Sequence, residues 1–215
     1  MEAHDVSLRG RRLLSERFTR LFIGGTEGNE RLTATAGALL LVLFAIEGVT
    51  LLSIRSLLTL HIFVGMLLIP PVALKIAATG YRFARYYTGH LPYREKGPPR
   101  LLLRILVAPF LLASTVALFA TGVALLVAEP GRGLTLGLHK ASFVVWVSAM
   151  AVHVLAYALE LPQLVRADWG GRERTPGTML RLGLVAFSLV AGVTLALATL
   201  SLASPWVHSG VLFDH

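Results

Sequence analysis

Five apolar runs, each about as long as a bilayer is thick, dominate this 215-residue chain and leave it little freedom of fold. A helix crossing the hydrocarbon core needs about 20 apolar residues, because its backbone N–H and C=O groups must be satisfied within the segment. The runs fall at about 33–54, 57–78, 104–128, 138–160 and 179–203. The chain is 55 % hydrophobic with a mean hydropathy of +0.69, well beyond a soluble domain of this length. The expected fold is an all-α integral membrane protein.

A formal charge of +8 would point to nucleic acid in a soluble protein. Here the cations sort by loop instead, so the membrane is the expected partner and nucleic acid is not. Residues 1–31, 79–104 and 161–181 hold sixteen Lys and Arg; the opposite side has three, Arg55, Arg132 and Lys140, and Lys75 lies inside the second run. The positive-inside rule then puts the N-terminus in the cytoplasm and the C-terminus outside a bacterial inner membrane. Tyr81, Tyr86, Tyr87, Tyr93 and Tyr157 fall near the inner interface, where anchoring aromatics gather.

The domain plan is a cytoplasmic basic segment at 1–31, a five-helix membrane domain at 32–203 and a periplasmic tail at 204–215. Residues 5–22 mix Val6, Leu13, Leu14, Phe18, Leu21 and Phe22 with five arginines, the pattern of an amphipathic surface helix. Gly10 weakens that helix, and a frayed basic tail is the competing reading. Gly24–Glu30, GGTEGNE, reads as a flexible break, and no cleavable signal is expected. Runs one and two, and runs three and four, are joined by short outer links and should be antiparallel neighbours. The simplest arrangement is a four-helix bundle with a fifth helix at its edge. There is no convincing internal repeat, Walker loop, dinucleotide fingerprint or HExxH.

Chemistry-bearing residues are few. There is no cysteine, which excludes disulfides, iron–sulfur ligation and covalent c-type haem attachment. The fourth run carries His139 and His153, fourteen positions apart. That is close to four helical turns, so both rings share a stripe about 21 Å long, with Phe143, Trp146 and Met150 between them. Ionisable groups inside a bilayer are expensive and mark functional sites. His61, about one turn into the second run, shares a depth with His139. Two neutral imidazoles at one depth on two helices can ligate one haem iron axially. Gly65, one turn beyond His61, would leave room for a porphyrin edge, and Pro70–Pro71 should kink the helix just below. Glu47 reaches the same half and is a candidate acceptor for an axial histidine's Nδ1–H. Arg55, Arg132 and Lys140 are candidate partners for haem propionates.

Each has a bland alternative. The histidines and Glu47 also read as satisfied polar contacts, the aromatic stripe as core and the outer cations as solvated termini. The inner half is less complete. His153 is a candidate ligand for a second haem, but the position fourteen after His61 is Lys75, which would snorkel to the inner surface. The first run offers no histidine, and His90 and His4 lie outside the spans. One haem b has a full ligand pair; a second has half a site.

The layout resembles the cytochrome b subunits of membrane formate dehydrogenase and nickel-iron hydrogenase, with the related bacterial cytochrome b561 group. In that family one His on helix 1, one on helix 2 and an H-x13-H pair on helix 4 hold two haems. His61 and His139 match the family's outer pair, and His153 matches one inner ligand. The helix 1 ligand is absent. The resemblance covers about residues 33–160, and the phrases LHIFVGMLLIPPVALK and LHKASFVVW carry it best. It implies a haem protein passing single electrons between a quinone and a redox partner at the outer face. The competing readings are a haem-free anchor or assembly subunit of a redox complex, and a small proton-coupled transporter using Glu47, Lys75 and His153. The tail SPWVHSGVLFDH, with His208 and His215, is a candidate contact for a periplasmic partner.

Overall fold

The computed structural model describes residues 25–97, 107–128, 133–158 and 176–209, with isolated positions 130 and 162. The basic segment at 5–22, Arg132, most of the inner link at 161–181 and residues 210–215 lie outside them. The helices are α1 (Gly25–Leu52), α2 (Ile54–Tyr87), the short α3 (Leu91–Glu95), α4 (Ala108–Val127), α5 (Leu134–Tyr157), α6 (Thr178–Thr199) and α7 (Ser204–Ser209), with a 3-10 turn at Leu200–Ala203. Among the described residues there is no strand, and five helical stretches are long and apolar enough to cross a membrane. The chain is an all-α, multi-pass membrane protein.

The helix limits differ from the sequence expectation in instructive places. Residues 25–30, expected as a flexible break, form the first turns of α1. Gly25 has a φ of 67°, so glycine serves the entry to the helix. Its polar side chains are partnered: Asn29 Nδ2 donates to Ala78 O at 3.2 Å, and Glu30 pairs with Arg82 at 3.3 Å and with Lys96. Helix α2 continues nine residues beyond the expected end at 78, to Tyr87. Its 34 residues span about 51 Å against roughly 30 Å of hydrocarbon, so its last turns emerge beyond the core. Arg82, Arg85 and four aromatic rings occupy this end, with Tyr81 and Tyr93 centred 6.1 Å apart.

The core joins α1, α2 and α6 around Leu40, Leu43, Val64, Leu67, Leu68, Val72 and Ala196. The fifth span packs along α2, with a smaller contact to α1. A backbone detail explains the fit. Pro70 and Pro71 have no N–H, so the carbonyls of Met66 and Leu67 lose their helical donors, although α2 runs on through both prolines. Gly192 of α6 lies against the Leu67 carbonyl, where any Cβ would overlap the oxygen. Glycine is required there for a close helix–helix approach, of the kind small residues permit in membranes.

Helices α4 and α5 form a second, antiparallel pair. This pair meets the α1–α2–α6 half at few backbone approaches, and Trp146 is the only buried residue of α5. Side chains bridge the divide. Phe44 of α1 and Trp146 of α5 have rings centred 4.8 Å apart, and within the second pair Trp146 Nε1 donates to Thr115 Oγ1 of α4 at 3.1 Å, which holds the indole in place. At the far end Trp206 is buried and its Nε1 donates to Leu125 O at 2.8 Å. Residues 204–209 are thus a helix docked on α4 rather than a free tail.

Candidate functional site

The site forms where four helix ends meet. Glu47 and Thr50 lie in the last turns of α1, His61 in the second turn of α2, Leu118 and Thr121 near the end of α4, and His139 in the second turn of α5. Antiparallel pairing brings all of them to one level. His61 and His139 ring centroids are 6.5 Å apart, with planes inclined at 78°.

Each ring is held by its Nδ1. Glu47 Oε1 is 2.9 Å from His61 Nδ1, and Thr50 Oγ1 is 3.0 Å from the same nitrogen. The fully buried Thr50 hydroxyl donates to Glu47 O at 2.6 Å, so it turns a lone pair towards the ring. Glu47 Oε2 is buried with no hydrogen-bond partner among the described residues. On the other side His139 Nδ1 lies 3.2 Å from Leu118 O and 3.1 Å from Thr121 Oγ1, whose proton goes to Ala117 O at 2.7 Å. A carbonyl oxygen and a carboxylate only accept, so the proton of each neutral ring sits on Nδ1. The Nε2 lone pairs are left available, and no hydrogen bond to either Nε2 occurs among the described residues. This is the tautomer a metal-ligating histidine needs, fixed by an outer acceptor.

The spacing also suits a metal between the rings. A metal–imidazole bond is about 2.0 Å long and the ring centre lies about 1 Å behind its nitrogen, so rings on opposite sides of one metal have centres roughly 6 Å apart. Among the described residues no group of three or more His, Cys, Asp or Glu encloses a metal ion. A bare ion would lack ligands here. Haem iron brings four nitrogens of its own and asks for two axial donors. The loose seam between the two helix groups lies at the same place. The donor set, its tautomers and its spacing fit a haem b.

The other expected residues are placed as follows. Gly65 sits beside the carboxylate of Glu47, and an added Cβ would lie 3.6 Å from Oε1, an ordinary contact. Gly122 has the tighter role: a Cβ would come within 3.2 Å of His139 Cε1. Arg55 and Lys140 are exposed at the His61 end. His153 lies four turns away on α5, its ring 5.1 Å from Tyr157, and within electrostatic range of Lys75. No second imidazole joins it among the described residues. Lys75 does not simply snorkel: its Nζ donates to Thr33 O of α1 at 2.6 Å.

Thr50, Thr121 and Gly122 escaped the sequence reading. Thr50 follows Glu47 at helical spacing, which is a usable signal. In α4 the dipeptide Thr121–Gly122 is the only polar break in LFATGVALL, and its partner His139 lies 18 residues on, in the next helix. No protein-family profile matches the chain, and comparisons with characterised proteins and with solved structures return no significant similarity.

Proposed function

We propose that the protein is a b-type membrane cytochrome, holding one haem between His61 and His139 and passing single electrons between a quinone and a redox partner at the outer face. The observation that carries this is the pair of imidazoles 6.5 Å apart, each with its Nδ1 engaged by the neighbouring helix of its own half of the bundle. When bound, the haem supplies the one-electron chemistry. The chain's residues do the rest. Glu47 and Thr50 orient His61 and add electron density to its ring, while Leu118 O and Thr121 orient His139 through neutral acceptors. Phe44 and Trp146 close the seam on the inner side and keep water from the pocket. The anionic Glu47 favours the positively charged, oxidised state of a metal centre and should lower its potential. The charge asymmetry of the loops orients the site towards the periplasm, with Arg55, Arg132 and Lys140 as the cations on that side of the sequence that would face haem carboxylates or an acidic partner.

The test is an absorption spectrum of the protein purified from haem-replete cells, with haem and iron measured per chain. A sharp reduced α-band with one haem per chain is the expected result. A colourless, folded protein would favour the haem-free anchor.

A further inference from the structure

Where α2 emerges from the hydrocarbon core, one cation is held in place without an acceptor. The last turns of this 34-residue helix lie at the depth of the lipid headgroups, and Arg85 stands in them. Its cationic neighbours are already matched. Glu30 takes Arg82 at 3.3 Å and Lys96 as well, and Glu27 takes Arg31. No carboxylate pairs with Arg85 among the described residues, and its guanidinium makes no hydrogen bond to them. The Nε atom is enclosed, while the two terminal nitrogens stay at the surface, so four of the five N–H donors face outwards unused.

The side chain is nevertheless positioned. Its guanidinium carbon sits 5.7 Å from the centre of the Tyr81 ring. Tyr81 is backed by the buried Tyr93, with ring centres 6.1 Å apart. The chain after α2 folds back, with His90 N donating to Arg85 O at 3.1 Å, and so brings α3 beside the arginine. A long side chain ordinarily loses rotamer freedom when it binds, and stacking on Tyr81 has already removed part of it. Tyr87 and Leu91, on either side of this turn, are 64 % and 69 % exposed, so apolar surface adjoins the cation.

We propose that Arg85 binds the phosphate of an anionic phospholipid in the leaflet at this end of the bundle. A guanidinium forks onto two phosphate oxygens, which supplies the acceptors that the protein does not. The exposed surface of Tyr87 and Leu91 suits the glycerol and the first carbons of the acyl chains. A choline or ethanolamine head would bring a second cation towards Arg85 and the exposed Arg94, so a lipid of net negative charge is favoured. None of this rests on the cytochrome reading.

The full-length protein in a neutral detergent is titrated with phosphatidylglycerol, and bound lipid is counted by native mass spectrometry. Wild type should hold one phosphatidylglycerol about fivefold or more tightly than phosphatidylcholine of the same acyl chains. Arg85→Met should weaken phosphatidylglycerol binding about tenfold or more and remove the preference. Arg85→Lys keeps the charge and loses the fork, so it should fall between the two, and it covers the case in which Arg85→Met does not fold. Unchanged affinity in either folded variant overturns the proposal, and so does equal retention of phosphatidylcholine by wild type. Displacement of the lipid by inorganic phosphate also overturns it, since the site would then belong to a soluble anion.

Discussion

Two layers of the same two helices carry opposite chemistry. On α2, His61 and Lys75 are fourteen residues apart, and on α5, His139 and His153 have the same spacing. The helical register repeats each stripe four turns on. In the His61 layer both rings keep an Nε2 lone pair, because Glu47 and Leu118 O take the Nδ1 protons. The Lys75 layer instead holds an amine, which only donates, and its Nζ is held by Thr33 O of α1. A metal needs lone pairs, so on the proposed reading the His61 layer would hold the metal, while the Lys75 layer presents a donor. The aromatic contact of Phe44 with Trp146 lies between them.

The largest effects should fall on the His61 layer. His61→Ala and His139→Ala are each expected to abolish the α-band, since one axial bond cannot hold a haem that two held. Gly192→Ala should act on both layers together by pushing α6 off the Leu67 carbonyl of α2. A loss of about 1–3 kcal/mol is expected, read as a lower midpoint in thermal unfolding. Gly37→Ala provides the contrast. Its Cβ meets only the flexible end of Lys75, and the destabilisation should stay below about 1 kcal/mol. A drop as large as that of Gly192→Ala would mean the Lys75 layer is rigid.

Removing an orienting partner should cost less than removing a ligand. Glu47→Gln is expected to keep the α-band, weaken haem retention by about 10- to 100-fold and raise the midpoint potential. Thr121→Val, which removes a neutral acceptor, should change retention less and leave the potential nearer that of wild type.

The smallest effect lies outside the membrane layers. Burial, with Tyr81 and Glu30 beside it, pushes the Tyr93 hydroxyl up to about 12, against the opposing pull of Arg85 and Arg82. The neutral phenol is the form the fold favours. Its contribution is complete below the ordinary tyrosine value of 10.0 and is lost as pH rises through about 12. Ultraviolet titration of the wild type against Tyr93→Phe should show the missing phenol in the last part of the curve.

Much of this was legible in the sequence. The five spans follow from the length of the apolar runs, and the pairing of His61 with His139 from their matched depth. Glu47 was found because a carboxylate in an apolar run is conspicuous. The rest depended on which way side chains turn. Lys75 looked free to reach the inner surface, and only the neighbouring α1 carbonyl shows where its amine goes. Gly192 carried no signal, because its role arises from a carbonyl freed by a proline on another helix. The first turns of α1 read as a break because Gly, Thr and Asn are weak helix formers in isolation. There Asn29 and Glu30 are held by α2 and the chain beyond it, which overrides local propensity.

The most direct measurement is haem stoichiometry by pyridine haemochrome in wild type and in His153→Ala. The account predicts one haem per chain in both, with the same α-band. Two haems in wild type, or loss of the haem in His153→Ala alone, would contradict it.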